Sequence, residues 1–457
     1  MDNATSKKIA LLAAMSSSFL TAFTGSSVNI ALPAIGRHFA MDAVLLSWVQ
    51  TAYLLAAAMF LVPFGRLADI HGRKKIYVWG ITVFAVASWS CGMVASAPLL
   101  IGLRVLQGLG SAMIFGTGVA ILTSVYPPGE RGRALGITIA SVYIGLSLGP
   151  VLGGFLTERW GWRSVFFANL PIALVVIGLV LWRLRGEWAE ARGEPFDPVG
   201  SVIYGLTLIS VMYGLSQLPG ETGVGLIALG GLGLLLFLWW ESRVSKPVLE
   251  LNLFRHSRAF AFSNLAALIN YAATAAVAFL MSLYLQYIQE MSAQQAGLVL
   301  IVQPLVQALL SPLAGRLSDR IEPQVVASMG MGSTTLGLFL FLFLGRTTPK
   351  AFIYVSLVLL GLGFALFSSP NTNAVMSAVQ KRHYGVASAT VGTMRLLGQM
   401  LSMGTVTLIF ALYIGRVQIT PESYPLFLKA MHTAFVVFTV ACFGGIFASL
   451  ARGKVRA

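Results

Sequence analysis

Gly65-Arg66-Leu67-Ala68-Asp69-Ile70-His71-Gly72-Arg73-Lys74-Lys75 is a strongly basic stretch with one acid, set between two long apolar runs. A weaker copy, Gly315-Arg316-Leu317-Ser318-Asp319-Arg320, follows 250 residues later, again between apolar runs. The flanking runs are about 20 residues long, enough to cross ~30 Å of hydrocarbon at 1.5 Å per residue. Of the 457 residues, 57% are hydrophobic and 10% charged, and the mean hydropathy is +0.81. Soluble domains carry about 25% charged residues, so a water-soluble globule is excluded. In hydrocarbon the backbone must satisfy its own hydrogen bonds, which leaves helices or a closed barrel. Barrel strands would be about half as long and would alternate polar and apolar residues. The expected fold class is therefore an all-α polytopic membrane protein.

Cys91 and Cys442 fall inside apolar runs, so neither a disulfide framework nor a metal site is expected. The net charge of +15 comes from basic residues scattered through short loops, an orientation signal rather than a nucleic-acid surface. Lys7 and Lys8 precede an apolar run that continues to Leu32-Pro33, too long for a cleaved signal and read as a first helix. Fourteen spans are expected near 9–33, 44–65, 76–96, 98–124, 133–157, 164–183, 199–217, 224–241, 259–288, 294–315, 325–345, 351–377, 385–414 and 427–450. An even count puts both termini on one side. With that side cytoplasmic, seven of the 31 Lys and Arg fall outside (Arg37, Arg159, Arg163, Arg346, Lys350, Arg416, Lys429), two fall within spans (Arg104, Arg395), and 22 remain inside. Positive charge favours the inside, so both termini are expected in the cytoplasm of a cell (inner or plasma) membrane protein.

Polar connections at 184–198 and 242–258 bracket two Gly- and Leu-rich spans without intramembrane charge. These look like an inserted pair, giving an N-terminal six-helix half (1–198), two additional helices (199–241) and a C-terminal six-helix half (242–457). Gly65 and Asp69 map onto Gly315 and Asp319 with an offset of 250, and Gly132 and Gly145 onto Gly385 and Gly398 with an offset of 253. Parallel repeats of this kind build rocking transporters with a site between the halves.

In the basic stretch, Gly65 and Gly72 permit a tight turn and close helix contact. Asp69 can accept from a helix N-terminus or pair with an arginine such as Arg73, while the basic run faces anionic lipid. The functional reading is a cytoplasmic gate that latches the halves in one state. Arg104 opens the fourth span with Gln107 close behind; a cation there costs at least ~2.5 kcal/mol and must face a cavity or a partner unless it snorkels to the outer interface. Arg395 lies nearer mid-span, where snorkelling is harder. Gly145, Gly149, Gly153 and Gly154 form a small-residue face around Pro150, suited to close packing on a bent helix that seals the outer mouth.

These motifs and this layout resemble the major facilitator superfamily. The fourteen spans, Val28-Asn29-Ile30-Ala31-Leu32-Pro33, Trp162-Arg163 through Asn169-Leu170-Pro171, and Arg395-Leu396-Leu397-Gly398 resemble its drug/proton antiporter branch. The resemblance covers essentially the whole chain. It implies that Asp69 and Arg73 belong to a cytoplasmic latch, Arg104 to proton coupling, and Gly149-Pro150 to exchange without leak. Members of the branch often carry an acid five residues before the Asn of the first span, where this chain has Thr24.

Every Asp and Glu lies in a loop, a tail or a helix end. Glu158, then Asp42 and Glu290, near the outer surface, are the acids left for coupling. A cavity without a carboxylate suits neutral or anionic amphipathic substrates as readily as cations. Its expected lining is Phe23, Thr24, Asn29, Gln50, Tyr53, Gln107, Tyr143, Asn270, Tyr271, Gln303, Gln307, Asn371, Asn373, Arg395 and Gln399. The favoured function is a proton-coupled exporter of amphipathic small molecules, expected to be monomeric and without cofactor or metal. The alternatives are a facilitator or exporter of an anionic or lipid-like metabolite, with Arg104 and Arg395 holding the anion, and a non-transporting membrane sensor. No nucleotide loop, metal cluster or nucleophile motif suggests an enzyme.

Overall fold

The computed structural model describes residues 3–184, 186–244, 251–380 and 384–453. Among them, 14 helices are long and apolar enough to cross a membrane. They overrun the hydropathy boundaries, because helical hydrogen bonding does not stop where apolarity does: the first span is Ser6–His38 and the second Ala43–His71. One expectation changes here. The helix passes straight through Gly65 to His71, and the chain reverses at Gly72 alone, at φ +117°, before the third span, Arg73–Met93. A single residue in a backbone region that side chains avoid is enough for the reversal.

The helices pack in a repeated scheme. The fourth to sixth spans are Ala97–Val125, Ala134–Trp160 and Arg163–Arg183. Span 1 packs on spans 5 and 6, span 4 on spans 2 and 3, and span 3 on span 6. The ninth to fourteenth are Arg258–Ile288, Ala293–Ser318, Pro323–Phe343, Lys350–Ser377, Val386–Tyr413 and Pro421–Ala451. Adding eight to each number reproduces the scheme: 9 with 13 and 14, 12 with 10 and 11, and 11 with 14. The seams between the groups, 2 with 13 and 5 with 10, exchange under the same shift. Equivalent glycines mark it: a Cβ on Gly145 would lie 2.7 Å from the Phe19 carbonyl, and one on Gly398 2.6 Å from that of Leu268.

Spans 7 and 8, Pro198–Gln217 and Glu221–Glu241, pair with each other, and span 7 sits against spans 2 and 13. The Tyr204 hydroxyl donates to the Ala58 carbonyl at 3.2 Å, and Met212 and Leu215 pack over Gly404. The ninth helix breaks at 275–276 and closes with a π turn over Tyr284–Ile288. The Ala276 N–H freed by the break donates to Ser402 Oγ at 3.0 Å, as a broken helix inside a membrane requires.

Candidate functional site

Two arginines stand inside the spans. Arg104 begins about two turns into span 4 and is wholly buried. Its Nε donates to the Val49 carbonyl at 2.9 Å, and its terminal nitrogens donate to Gln107 Oε1 at 2.5 Å and Gln50 Oε1 at 3.0 Å. Its face lies 4.3 Å from the Tyr53 ring centre. Gln107 donates onward to Ser88 Oγ at 2.6 Å, and the Tyr53 hydroxyl bonds Ser111 at 2.8 Å. Neutral dipoles and a ring thus solvate the cation, each bond to a charged group being worth about 1.5–3 kcal/mol. Arg104 does not snorkel; in this conformation its donors are spent on spans 2 and 4. Arg395 is half-buried on span 13, nine residues past Val386, or ~14 Å along the helix. Its guanidinium lies 5.5 Å from the Tyr271 ring centre.

Several expected lining residues prove to be packed inside their own helix groups. Thr24 donates to the Leu20 carbonyl and to Asn169 Oδ1, each at 2.8 Å, so the position where the antiporter branch carries an acid points at span 6. Gln107 and Gln50 serve Arg104, and Asn371 donates to the Ser263 carbonyl at 3.2 Å. Phe23, Asn29, Tyr53, Asn270 and Gln307 are buried. Tyr143, Tyr271, Gln303, Asn373, Arg395 and Gln399 keep partial exposure. Helical spacing alone did not reveal which polar faces had partners on neighbouring helices.

On the side away from the termini, the two helix groups are stitched together. Ser282 and Gln286 of span 9 donate to the Asn29 and Ile30 carbonyls of span 1 at 2.6 and 3.0 Å. Ser47 bonds Thr407 at 2.8 Å, Ala43 N–H donates to the Val417 carbonyl at 3.0 Å, and Gln418 donates to the Ala40 carbonyl at 3.0 Å. The glycine face divides its work. Gly149 and Gly153 lie against Ser26 and Ser27 of span 1, whereas Gly154 lies against the Ala293 carbonyl of span 10, and Gly297 against the Pro150 carbonyl. A methyl group at Gly154 or Gly297 would overlap those oxygens.

The three far-side acids part company. Asp42 caps span 2 by accepting from Leu45 N–H at 2.7 Å. Glu290 is exposed, at φ +52°. Glu158 crosses the seam, accepting from Gln294 N–H at 3.1 Å at the start of span 10, where a carboxylate suits the helix dipole. With Arg37, Thr157 and Gln286 it lines a cavity of about 290 Å³.

On the termini side, the basic stretch is bound by the connection before span 7. Arg73 donates to Asp69 Oδ1 at 2.8 Å and forks onto Glu190 at 2.8 and 3.0 Å. Its N–H donates to the Trp188 carbonyl at 2.9 Å, and Ala191 N–H donates to the Asp69 carbonyl at 3.0 Å. Glu187 accepts from Lys74 and Lys75 N–H at 2.8 and 3.1 Å, and Arg66 pairs with Glu194 at 2.6 Å. A Cβ on Gly72 would lie 2.5 Å from Glu187 Cδ, so Gly72 serves the strap as well as the reversal. In this conformation these partners come from spans 2–4 and the strap, not from the second helix group, and acids of the chain itself meet the basic run. In the copy, Gly315 lies inside the helix near Ser369; the Asp319 side chain lies outside the described residues.

A family profile described as Major Facilitator Superfamily matches residues 14–403. The chain belongs to this superfamily. It is 29% identical to "Riboflavin transporter RibZ" of Clostridioides difficile (strain 630), over 94% of this chain and 93% of that protein. It is 33% identical to "Multidrug resistance protein Stp" of Mycobacterium tuberculosis (strain ATCC 25618 / H37Rv), over 85% of this chain and 73% of that one. Among solved structures it is similar in fold to a peptide transporter POT in complex with sulfate, with TM-score 0.72 and 14% identity, covering 97% of this chain and 96% of that one.

This facilitator-superfamily chain is a multi-pass membrane transporter, not an enzyme. Residues missed from its sequence include Ser282 and Gln286 at the seam and the strap acids Glu187, Glu190 and Glu194. The acids had a readable signal: three carboxylates within eight residues, on the same side as the basic stretch. Ser282 and Gln286, four apart on one helix face, carry no such signal.

Proposed function

We propose that the chain is a secondary active exporter of amphipathic small molecules, driven by inward proton movement, with its termini in the cytoplasm of the cell membrane. Its two six-span groups, 1–198 and 242–457, rock against each other with 199–241 inserted beside them. The observation that carries this reading is the placement of the cross-group hydrogen bonds described above, in the half of the bilayer away from the termini. On this reading the far side is the outside, and the molecule stands open to the cytoplasm. The similarity to "Multidrug resistance protein Stp" supports drug-like cargo.

The cycle then has named parts. Opening outward breaks the Ser282–Asn29 and Gln286–Ile30 bonds and lifts Gly154 from Ala293. Glu158 loses its amide donor on span 10 and meets external water, where it can take a proton. Closing on the cytoplasmic side draws Asp69 and Arg73 away from Glu190 towards the second group. Arg104 keeps spans 2–4 a single rigid body throughout. A second reading, an anionic or lipid-like metabolite carried without protons, draws on two observations: the described acids sit at span ends or in connections, and Arg395 stands free in mid-span. The deciding experiment records pH inside proteoliposomes while a lipophilic cation, a neutral drug or an amphipathic anion is added. Substrate-evoked proton movement supports antiport; substrate flux with constant internal pH replaces it with the second reading.

A further inference from the structure

We infer that Arg395 selects cargo bearing an acidic group on a flat aromatic ring. The inference rests on the transport reading only for how cargo reaches the space between the helix groups.

A cation in mid-bilayer costs at least ~2.5 kcal/mol by the lenient insertion scale, so it needs dipoles, a counter-charge or water. Arg104 has its dipoles. For Arg395, no hydrogen bond or ion pair joins it to another described residue, and its one contact of note is the Tyr271 ring. It keeps partial exposure, and the helix that carries it packs on span 2 of the first helix group. Phe364 stands beside Tyr271, ring centres 6.5 Å apart. A guanidinium with open donors takes a carboxylate or a deprotonated imide in two parallel bonds. Tyr271 and Phe364 offer apolar surface to the ring that carries this group. Among the described residues the acids sit at span ends or in connections, so a cationic ring would meet repulsion here and no carboxylate to offset it.

Fluorescein and rhodamine 6G share a xanthene ring and differ in charge, the first anionic and the second cationic. Fluorescence anisotropy with the purified full chain measures binding, and flux into proteoliposomes measures transport. The expected result is fluorescein binding at least about tenfold tighter than rhodamine 6G. Arg395→Gln should abolish that preference, and Arg395→Lys should retain part of it. Tighter binding of rhodamine 6G, no binding of either dye, or an unchanged fluorescein Kd in Arg395→Gln overturns the inference. The two assays separate the claims. Fluorescein bound at Arg395 but never moved supports the inference and sinks the export reading. Rhodamine 6G moved by a chain that does not bind fluorescein does the reverse.

Discussion

Arg104 and Arg395 are the same side chain in the same solvent, each set within an apolar span, and they do opposite things. Arg104 is closed in by Val49, Gln50, Gln107 and the Tyr53 ring, on two helices of one group. Arg395 is half-buried, with the Tyr271 ring and no hydrogen bond or ion pair to another described residue. The first is a structural tie, since its removal would strand acceptors that only a guanidinium can reach together. The second carries an electrostatic demand that, on the inference above, cargo meets. An intramembrane charge becomes functional to the extent that the fold declines to satisfy it.

Breaking the satisfied member should have the largest effect. Arg104→Ala leaves a cavity and two buried amide oxygens, of Gln50 and Gln107, without their donor, at about 1–3 kcal/mol each. Transport should vanish and the thermal transition in detergent should fall sharply; a normal transition would show that Arg104 is not the tie described. Arg104→Lys should rescue little, because one ammonium cannot fork to Gln50 and Gln107.

Next comes the seam between spans 5 and 10. Gly154→Val puts methyl groups into the Ala293 carbonyl, so the far side should not close. Transport should drop by about tenfold or more while the fold survives, overpacking at one contact costing roughly 1–3 kcal/mol. Labelling of Thr157→Cys in a Cys91- and Cys442-free background by an impermeant thiol reagent should rise; unchanged labelling and turnover would remove the sealing role.

Arg395→Gln sharpens the contrast from the other side. Its thermal transition should match the parent's, or sit slightly above it, since a cation without bonds is gone from the bilayer interior. A large fall in stability would make Arg395 a second structural tie. The smallest effect belongs to Glu190→Gln. Its carboxylate is 67% exposed in the pair with Arg73, and such pairs contribute about 0–1 kcal/mol. The expected outcome is a few-fold change in turnover with unaltered substrate affinity, read by initial rates of flux. A complete loss of transport would mean that the strap does far more than hold Arg73.

The termini-side stretch shows how much was readable beforehand and how much was not. Its basic run, its acid and its place between two spans are plain in sequence; that Gly72 alone, and not Gly65, reverses the chain is not. That Asp69 shares Arg73 with Glu190, 117 residues on, depends on where the sixth helix delivers the strap. The lining residues divide in the same way. Gln107 follows Arg104 by three, so their sharing a helix face is local geometry. Gln50 and the Val49 carbonyl come from another span, and whether Asn371 or Thr24 is spent on a neighbour or left open is equally remote. The glycine face of span 5 was visible as a face; that Gly145, Gly149 and Gly153 serve span 1 while Gly154 serves span 10 was not.

What sequence alone determined is set by short-range physics. Transfer of each apolar run into hydrocarbon is a local sum, so fourteen spans, the absence of mid-span acids and the repeated charged stretches could be counted along the chain. What the tertiary structure decided is pairing. Polar groups in lipid must find partners, and partners for Arg104, Thr24, Glu158 and Arg73 lie on helices tens to hundreds of residues away. Which arginine is satisfied and which is left free follows from helix packing, because hydrogen bonds act over about 3 Å in space and take no account of distance along the chain.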